Sequence, residues 1–150
     1  MHKYVSVQTD DFDPAEEERQ LRSGNPRIGA VVSFLGLMRD INEGDSVSTM
    51  TLEHYPGMTE KALHAIIDEA GQRWDVEGIR VLHRVGELKP EDLIVLVMVA
   101  SRHRGEAFRA CEFVIDYLKT RAPFWKKEHT PAGARWVEAR HSDKDAEERW

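Results

Sequence analysis

Lys119, Arg121, Lys126 and Lys127 place four cations within nine residues, in a 150-residue chain whose formal net charge is −6. No acid interrupts them, and Pro123, Phe124 and Trp125 stand in their midst. Rigid aromatic walls beside ammonium and guanidinium groups suit an anionic, ring-containing small molecule. A second cationic run, Arg102-His103-Arg104, lies a short way upstream.

Each candidate has its own chemistry. Ser101-Arg102-His103-Arg104-Gly105 falls where an apolar strand should hand over to a helix. There free backbone N–H groups and the helix dipole face an incoming anion. Arg104 adds a planar fork for phosphate or carboxylate, and His103 can move a proton near neutral pH. The same segment equally reads as a solvated capping loop. Lys119 ends a predicted helix, where the dipole favours a cation in any case. Lys126 follows Trp125 in a predicted strand, so alternation throws the two to opposite faces. The turn at Pro123 is what would bring both lysines around one pocket. A lysine held beside Arg104 or Arg121 would lose pKa by like-charge repulsion, as acid–base or nucleophilic lysines require. Leu37-Met38-Arg39 ends another strand with a possible anion contact, and Arg140 ends the last one. His83-Arg84 lies inside a strand, where a structural role is expected.

The elements that must position these residues follow from periodicity. Alternation predicts strands over Tyr4 to Val7 and Val47 to Tyr55, β-branched and aromatic content predicts one over Ile28 to Leu37, and Ile79 to Val85 reads as another. Leu93 to Ser101 is a near-continuous apolar run, which predicts a central strand covered on both faces. Helical spacing marks Met58 to Trp74 and Glu106 to Lys119, and Asp13-Pro14 caps a shorter helix. Phe124 to Thr130 and Ala134 to Ala139 predict a terminal hairpin. Asp40 to Asp45 and Gly86 to Asp92 read as loop and turn, and His141 to Trp150 as a charged, frayed tail. Strands with interspersed helices and a closing hairpin predict an α+β fold in one domain over residues 1–150.

Composition removes several functions. With 41% hydrophobic and 32% charged residues the chain is that of a soluble globular protein. Its acidic balance argues against nucleic acid. The longest apolar run is far too short for a membrane span. A single cysteine, Cys111, builds no disulfide framework and no thiolate metal cluster, and no metal-ligand spacing links the seven histidines. No phosphate-cradling glycine motif occurs. The expectation is a cytoplasmic protein with no metal and no cofactor.

Four segments, in order and at natural spacing, carry a resemblance. Leu52-Glu53-His54-Tyr55-Pro56-Gly57-Met58, His83-Arg84-Val85-Gly86, Ser101-Arg102-His103-Arg104 and Lys119 through Glu128 closely resemble the large, catalytic subunit of molybdopterin synthase. The resemblance runs from about Gly29 to Arg140. It implies an α+β fold, with an α/β hammerhead portion and an additional antiparallel β portion. It implies insertion of two dithiolene sulfurs into cyclic pyranopterin monophosphate. The donor would be a small ubiquitin-like subunit ending in a Gly-Gly thiocarboxylate. Two copies of this chain would form a homodimer within a heterotetramer. By resemblance Lys119 and Lys126 are the catalytic lysines. Arg39, His103 and Arg104 are anion and pterin contacts, Leu37, Met38, Lys127 and Glu128 line the site, and Arg140 stands near it. A phosphosugar or nucleotide enzyme with a lysine base, and a non-catalytic anion-binding module, are the competing readings of the same cations.

Overall fold

The structure, a computed structural model, describes residues 1–42, 44–137 and 141–150. In chain order its elements are β1 (His2–Gln8), α1 (Pro14–Arg22), β2 (Ala30–Leu37), β3 (Ile41–Asn42), β4 (Asp45–Ser46), β5 (Thr49–His54), α2 (Met58–Arg73), β6 (Gly78–Arg84), β7 (Gly86–Leu88), β8 (Leu93–Ser101), α3 (Arg104–Arg121), β9 (Phe124–Thr130), β10 (Gly133–Val137) and α4 (His141–Glu147). The α+β expectation holds, with one sheet ordered β1-β6-β8-β2 and a second ordered β10-β9-β5-β7. In the first sheet β1 pairs with β6 in parallel, and the other pairings are antiparallel.

β8 explains its own composition. Val95, Val97 and Val99 pack with Leu63, Ile67, Phe113 and Val114 of α2 and α3. The intervening Leu96, Met98 and Ala100 pack on the opposite face with Phe12 and Leu21 around α1. A strand buried on both sides needs apolar residues at every position, which is why its sequence lacks alternation. α1 starts as its sequence predicts. Asp13 accepts the Ala15 N–H at 3.0 Å, Pro14 opens the helix, and Glu16 and Glu17 sit in its first turn. Glu17 pairs with Arg80, a β6 side chain buried beneath α1 and lying 3.9 Å from the Tyr4 ring centre.

The second sheet covers a smaller core of Met38, Val47, Met50, Leu52, Val85 and Leu88. Phe124, Ile94 and Val7 pack against both this core and the α2–α3 core, so the layers meet there. Two stretches expected to be irregular are paired. Gly86–Leu88 joins the edge of β5, and Ile41–Asn42 pairs with Asp45–Ser46. The tail expected to fray also folds back. Residues 141–147 form α4 against α3, and the Trp150 ring meets Trp74 and Phe113 edge-on at 5.3 and 5.7 Å. Asp116 of α3 accepts Trp150 Nε1–H at 2.7 Å and Arg149 Nη2–H at 2.8 Å. Hydrogen bonds to a charged acceptor stabilise by about 1.5–3 kcal/mol each, enough to order a short polar helix that has no core of its own. Among the described residues no helix is long and apolar enough to cross a membrane.

Gly29 lies where the chain passes the β8–α3 junction, donating to Ser101 O at 2.9 Å. A Cβ there would stand 2.3 Å from the Arg102 carbonyl oxygen, whereas one at Gly71, inside α2, meets only the flexible Met1 side chain. Gly29→Ala is therefore expected to destabilise by about 1–3 kcal/mol. Gly71→Ala should be neutral or stabilising, by up to about 1 kcal/mol. Denaturant unfolding of the two variants measures the contrast.

Candidate active site

The four clustered cations are dealt to different surfaces. Arg121, in the last turn of α3, lies 3.8 Å from the Tyr117 ring centre and faces Glu69 and Glu147 at 3.8 and 3.6 Å. Lys127 stands 5.6 Å from the Trp136 ring centre, its cross-strand neighbour on β10. Strand alternation puts that pair on the opposite face from Lys126, away from the lysine pair described next. Lys126 is half-buried on the inner face of β9, opposite Leu52 on one side and Val137 on the other. Lys119 is exposed at the end of α3.

His83 brings these two lysines to one place. Its ring is buried at the end of β6 and stacks on Phe124, centroid to centroid at 3.9 Å with planes 17° apart. Nδ1 lies 2.8 Å from the Arg84 carbonyl oxygen, which can only accept, so Nδ1 carries the proton. Burial pushes the His83 pKa down to about 3, with Lys119, Lys126 and His54 adding repulsion and the Arg84 hydrogen bond opposing. The ring near the two lysines is thus a neutral, tautomer-fixed imidazole rather than a third cation. Sequence reading assigned His83 to structure, which its burial supports. Its place near the lysines had no sequence signal, because it lies 36 and 43 positions from them.

Arg39 and the residues before it reach the same end of the molecule. β2 and β8 are antiparallel, with Leu37 opposite Leu93, so Arg39 leaves the sheet where β8 begins. Met38 is a core residue whose N–H donates to Asp92 O at 3.0 Å, and Leu37 is exposed. Arg39 opens onto a cleft lined with Asp40, Ile41, Pro90 and Glu91. Glu128 is buried on the inner face of β9 and accepts a hydrogen bond from Asn42 Nδ2 at 2.6 Å.

His103 and Arg104 stand elsewhere. β8 hands over to α3 at the predicted junction, with His103 as N-cap and Arg104 in the first turn, both exposed. Arg102 beside them lies 3.6 Å from Glu77. Arg104 and Lys119 are 15 residues apart on one straight helix. At 1.5 Å per residue they are separated by about 22 Å. One copy of the chain does not put Arg104 beside Lys119, so it cannot perturb that lysine as the sequence reading allowed. Arg140 lies outside the described residues. Cys111 packs in the α2–α3 core, where burial pushes its thiol up to about 12. Such a thiol is no nucleophile. Among the described residues no group of His, Cys, Asp and Glu could hold a metal ion.

Residues 7–121 match the family model described as MoaE protein. A molybdopterin synthase catalytic subunit from Ralstonia nicotianae is 64% identical over 146 residues, spanning 97% of this chain and 83% of that protein. The fold is similar to the solved molybdopterin biosynthesis MoaE protein from Burkholderia ambifaria, with TM-score 0.85 and 54% identity over 100% of this chain and 98% of that one. It is similar also to a molybdopterin synthase structure from Staphylococcus aureus, with TM-score 0.82 and 32% identity over 89% and 96% of the two chains.

The depressed His83 pKa sets a pH dependence. An unfolded chain protonates this ring below its ordinary 6.5 and the folded one only near 3, so acid favours unfolding across that window. At most this costs about 1.4 kcal/mol per pH unit. His83→Gln should therefore flatten the fall in stability from pH 6.5 to 4, read as the difference between wild-type and variant unfolding curves. Parallel curves would show that the ring is not held neutral by the fold.

Proposed function

The chain belongs to the MoaE protein family of molybdopterin synthase catalytic subunits, and from that premise we propose that Lys119 and Lys126 form its sulfur-transfer centre. It is an enzyme subunit of molybdenum cofactor biosynthesis. In this reading the substrate is cyclic pyranopterin monophosphate, and the sulfur arrives as the C-terminal thiocarboxylate of a small ubiquitin-like subunit. What carries the reading is that Phe124, stacked on His83, lies five residues after Lys119 and two before Lys126 on one face of β9, so both lysines stand near the His83 ring. Both reactants are anionic, which accounts for a local cationic pocket in a chain of net charge −6. The only thiol is buried, so sulfur must come from another molecule.

Lys119, exposed at the helix end, acts closest to the attacked carbon as proton donor, while half-buried Lys126 stabilises negative charge as it develops. Neutral His83 lets both lysines approach without a third charge. Arg39 binds the phosphate from the same end of the fold. His103 and Arg104 reach a pocket only in a homodimer, where the second copy presents its α3 N-terminus to the first copy's lysines. In that arrangement each pocket draws residues from two chains.

Reconstitution with thiocarboxylated small subunit and cyclic pyranopterin monophosphate, read by the fluorescence of oxidised molybdopterin, tests this. Lys119→Ala should lower turnover by about 10²-fold or more while the small subunit still binds. Near-normal turnover in a folded Lys119→Ala protein would overturn its role. An equal mixture of refolded Lys119→Ala and Arg104→Ala chains should recover about a quarter of wild-type activity, because half the dimers carry one intact pocket of two. No recovery would show that the pocket is not shared. Turnover with no variant, and affinity lost with both, is the signature of an anion-binding module.

A further inference from the structure

Glu128 is a buried carboxylate on the inner face of β9. It takes the Asn42 amide, 86 residues away in sequence, at 2.6 Å. Asn42 closes β3, the first strand of the small hairpin that begins two residues after Arg39. The hairpin is short, with two residues to a strand. Ile41 is 50% exposed, and the turn contains Gly44 at φ 85°, a conformation in which a side chain would be strained. Its root is tied by main-chain bonds, Val47 N–H to Asp40 O at 2.7 Å and Met38 N–H to Asp92 O at 3.0 Å. Its tip is tied through Asn42. The side chain donates to Glu128, and the carbonyl accepts from Arg135 Nη2 at 3.3 Å. Arg135 is the cross-strand neighbour of Glu128 on β10.

Glu128 also stands two residues from Lys126 on the same face of β9. One strand therefore holds the lysine and, by way of Asn42, the segment that presents Arg39. We propose that Glu128 is a positioning residue: it latches the Arg39 hairpin to the Lys126 strand through Asn42 and does not touch substrate. The inference rests on the reading above only in taking Arg39 and Lys126 to serve one pocket. The latch itself is independent of that reading. A carboxylate acceptor is suited to the task because a charge-assisted bond is stronger and more directional than a neutral one, and burial keeps water from replacing it.

The test pairs a structural readout with turnover. Amide hydrogen exchange over residues 40–47 reports the latch with no substrate present. Asn42→Ala and Glu128→Ala should each raise exchange there at least tenfold, and the double variant should be no worse than either single one. In turnover both should raise KM for the pterin about tenfold with a smaller change in kcat, since a loosened Arg39 costs binding before chemistry. Glu128→Gln keeps an oxygen that can accept from Asn42 and should be impaired several-fold less than Glu128→Ala. Should Glu128→Ala fail to fold, Asn42→Ala and Glu128→Gln carry the comparison. The proposal is overturned if Asn42→Ala leaves exchange and KM unchanged while Glu128→Gln abolishes turnover, which would place the carboxylate in direct contact with reacting groups. A wild-type protein with no turnover would sink the synthase reading, and the exchange data would still decide the latch.

Discussion

Burial of β8 on both faces is the constraint from which the rest of the structure follows. A nine-residue apolar strand cannot lie at an edge or face water, so it needs strands on both sides and helices above and below. α3 leaves its C-terminal end and runs back along it, which separates the molecule into two ends. At one stand Arg102, His103 and Arg104. At the other stand the start of β8, the exit of β2 with Arg39, and the end of α3 with Lys119. Which cations can meet within one chain is thus decided by a strand that contains none of them.

The second determinant is the joint between the two layers. Phe124 belongs to both cores and carries the His83 ring against its face. Because it is the first residue of β9, its anchoring sets the phase of that strand. Lys126 and Glu128 then point inward with it, and Trp125 and Lys127 point outward. A shift of one residue would exchange the two sets. The stacked pair is therefore a register pin as much as a piece of core, and it couples packing to the electrostatics of the lysines.

Much of this was legible in the sequence, for physical reasons that differ by element. β8 and α2 were readable because burial dictates their composition, residue by residue, over nine and sixteen positions. Asp13-Pro14 was readable because capping is local chemistry. The short strand Gly86–Leu88 was not, since three residues show no periodicity and only the free edge of β5 orders them. Residues 141–150 read as frayed because their charge is locally unfavourable to packing. Asp116, more than thirty residues away, is what orders them. The site divides in the same way. Residue types pointed to an anion pocket with Lys119 and Lys126, and in the fold both lysines act on the buried His83 ring that stacks on Phe124. The separation of His103 and Arg104 along α3, the outward turn of Lys127 and the Asn42–Glu128 contact all depend on long-range geometry that no local pattern encodes.

The burial of Cys111 has a consequence if, as proposed, the sulfur arrives on another protein. In that case a thiolate near the thiocarboxylate would attack its acyl carbon, forming a thioester and expelling the sulfur as hydrosulfide before it reached the pterin. With its thiol pushed up to about 12 and packed in the α2–α3 core, this chain has no such side path. On the reading proposed above, fidelity of transfer comes partly from what the pocket's own protein cannot do. On that reading the subunit offers no accessible thiol to compete for the element it transfers, and the delivered sulfur is left to the pterin carbon.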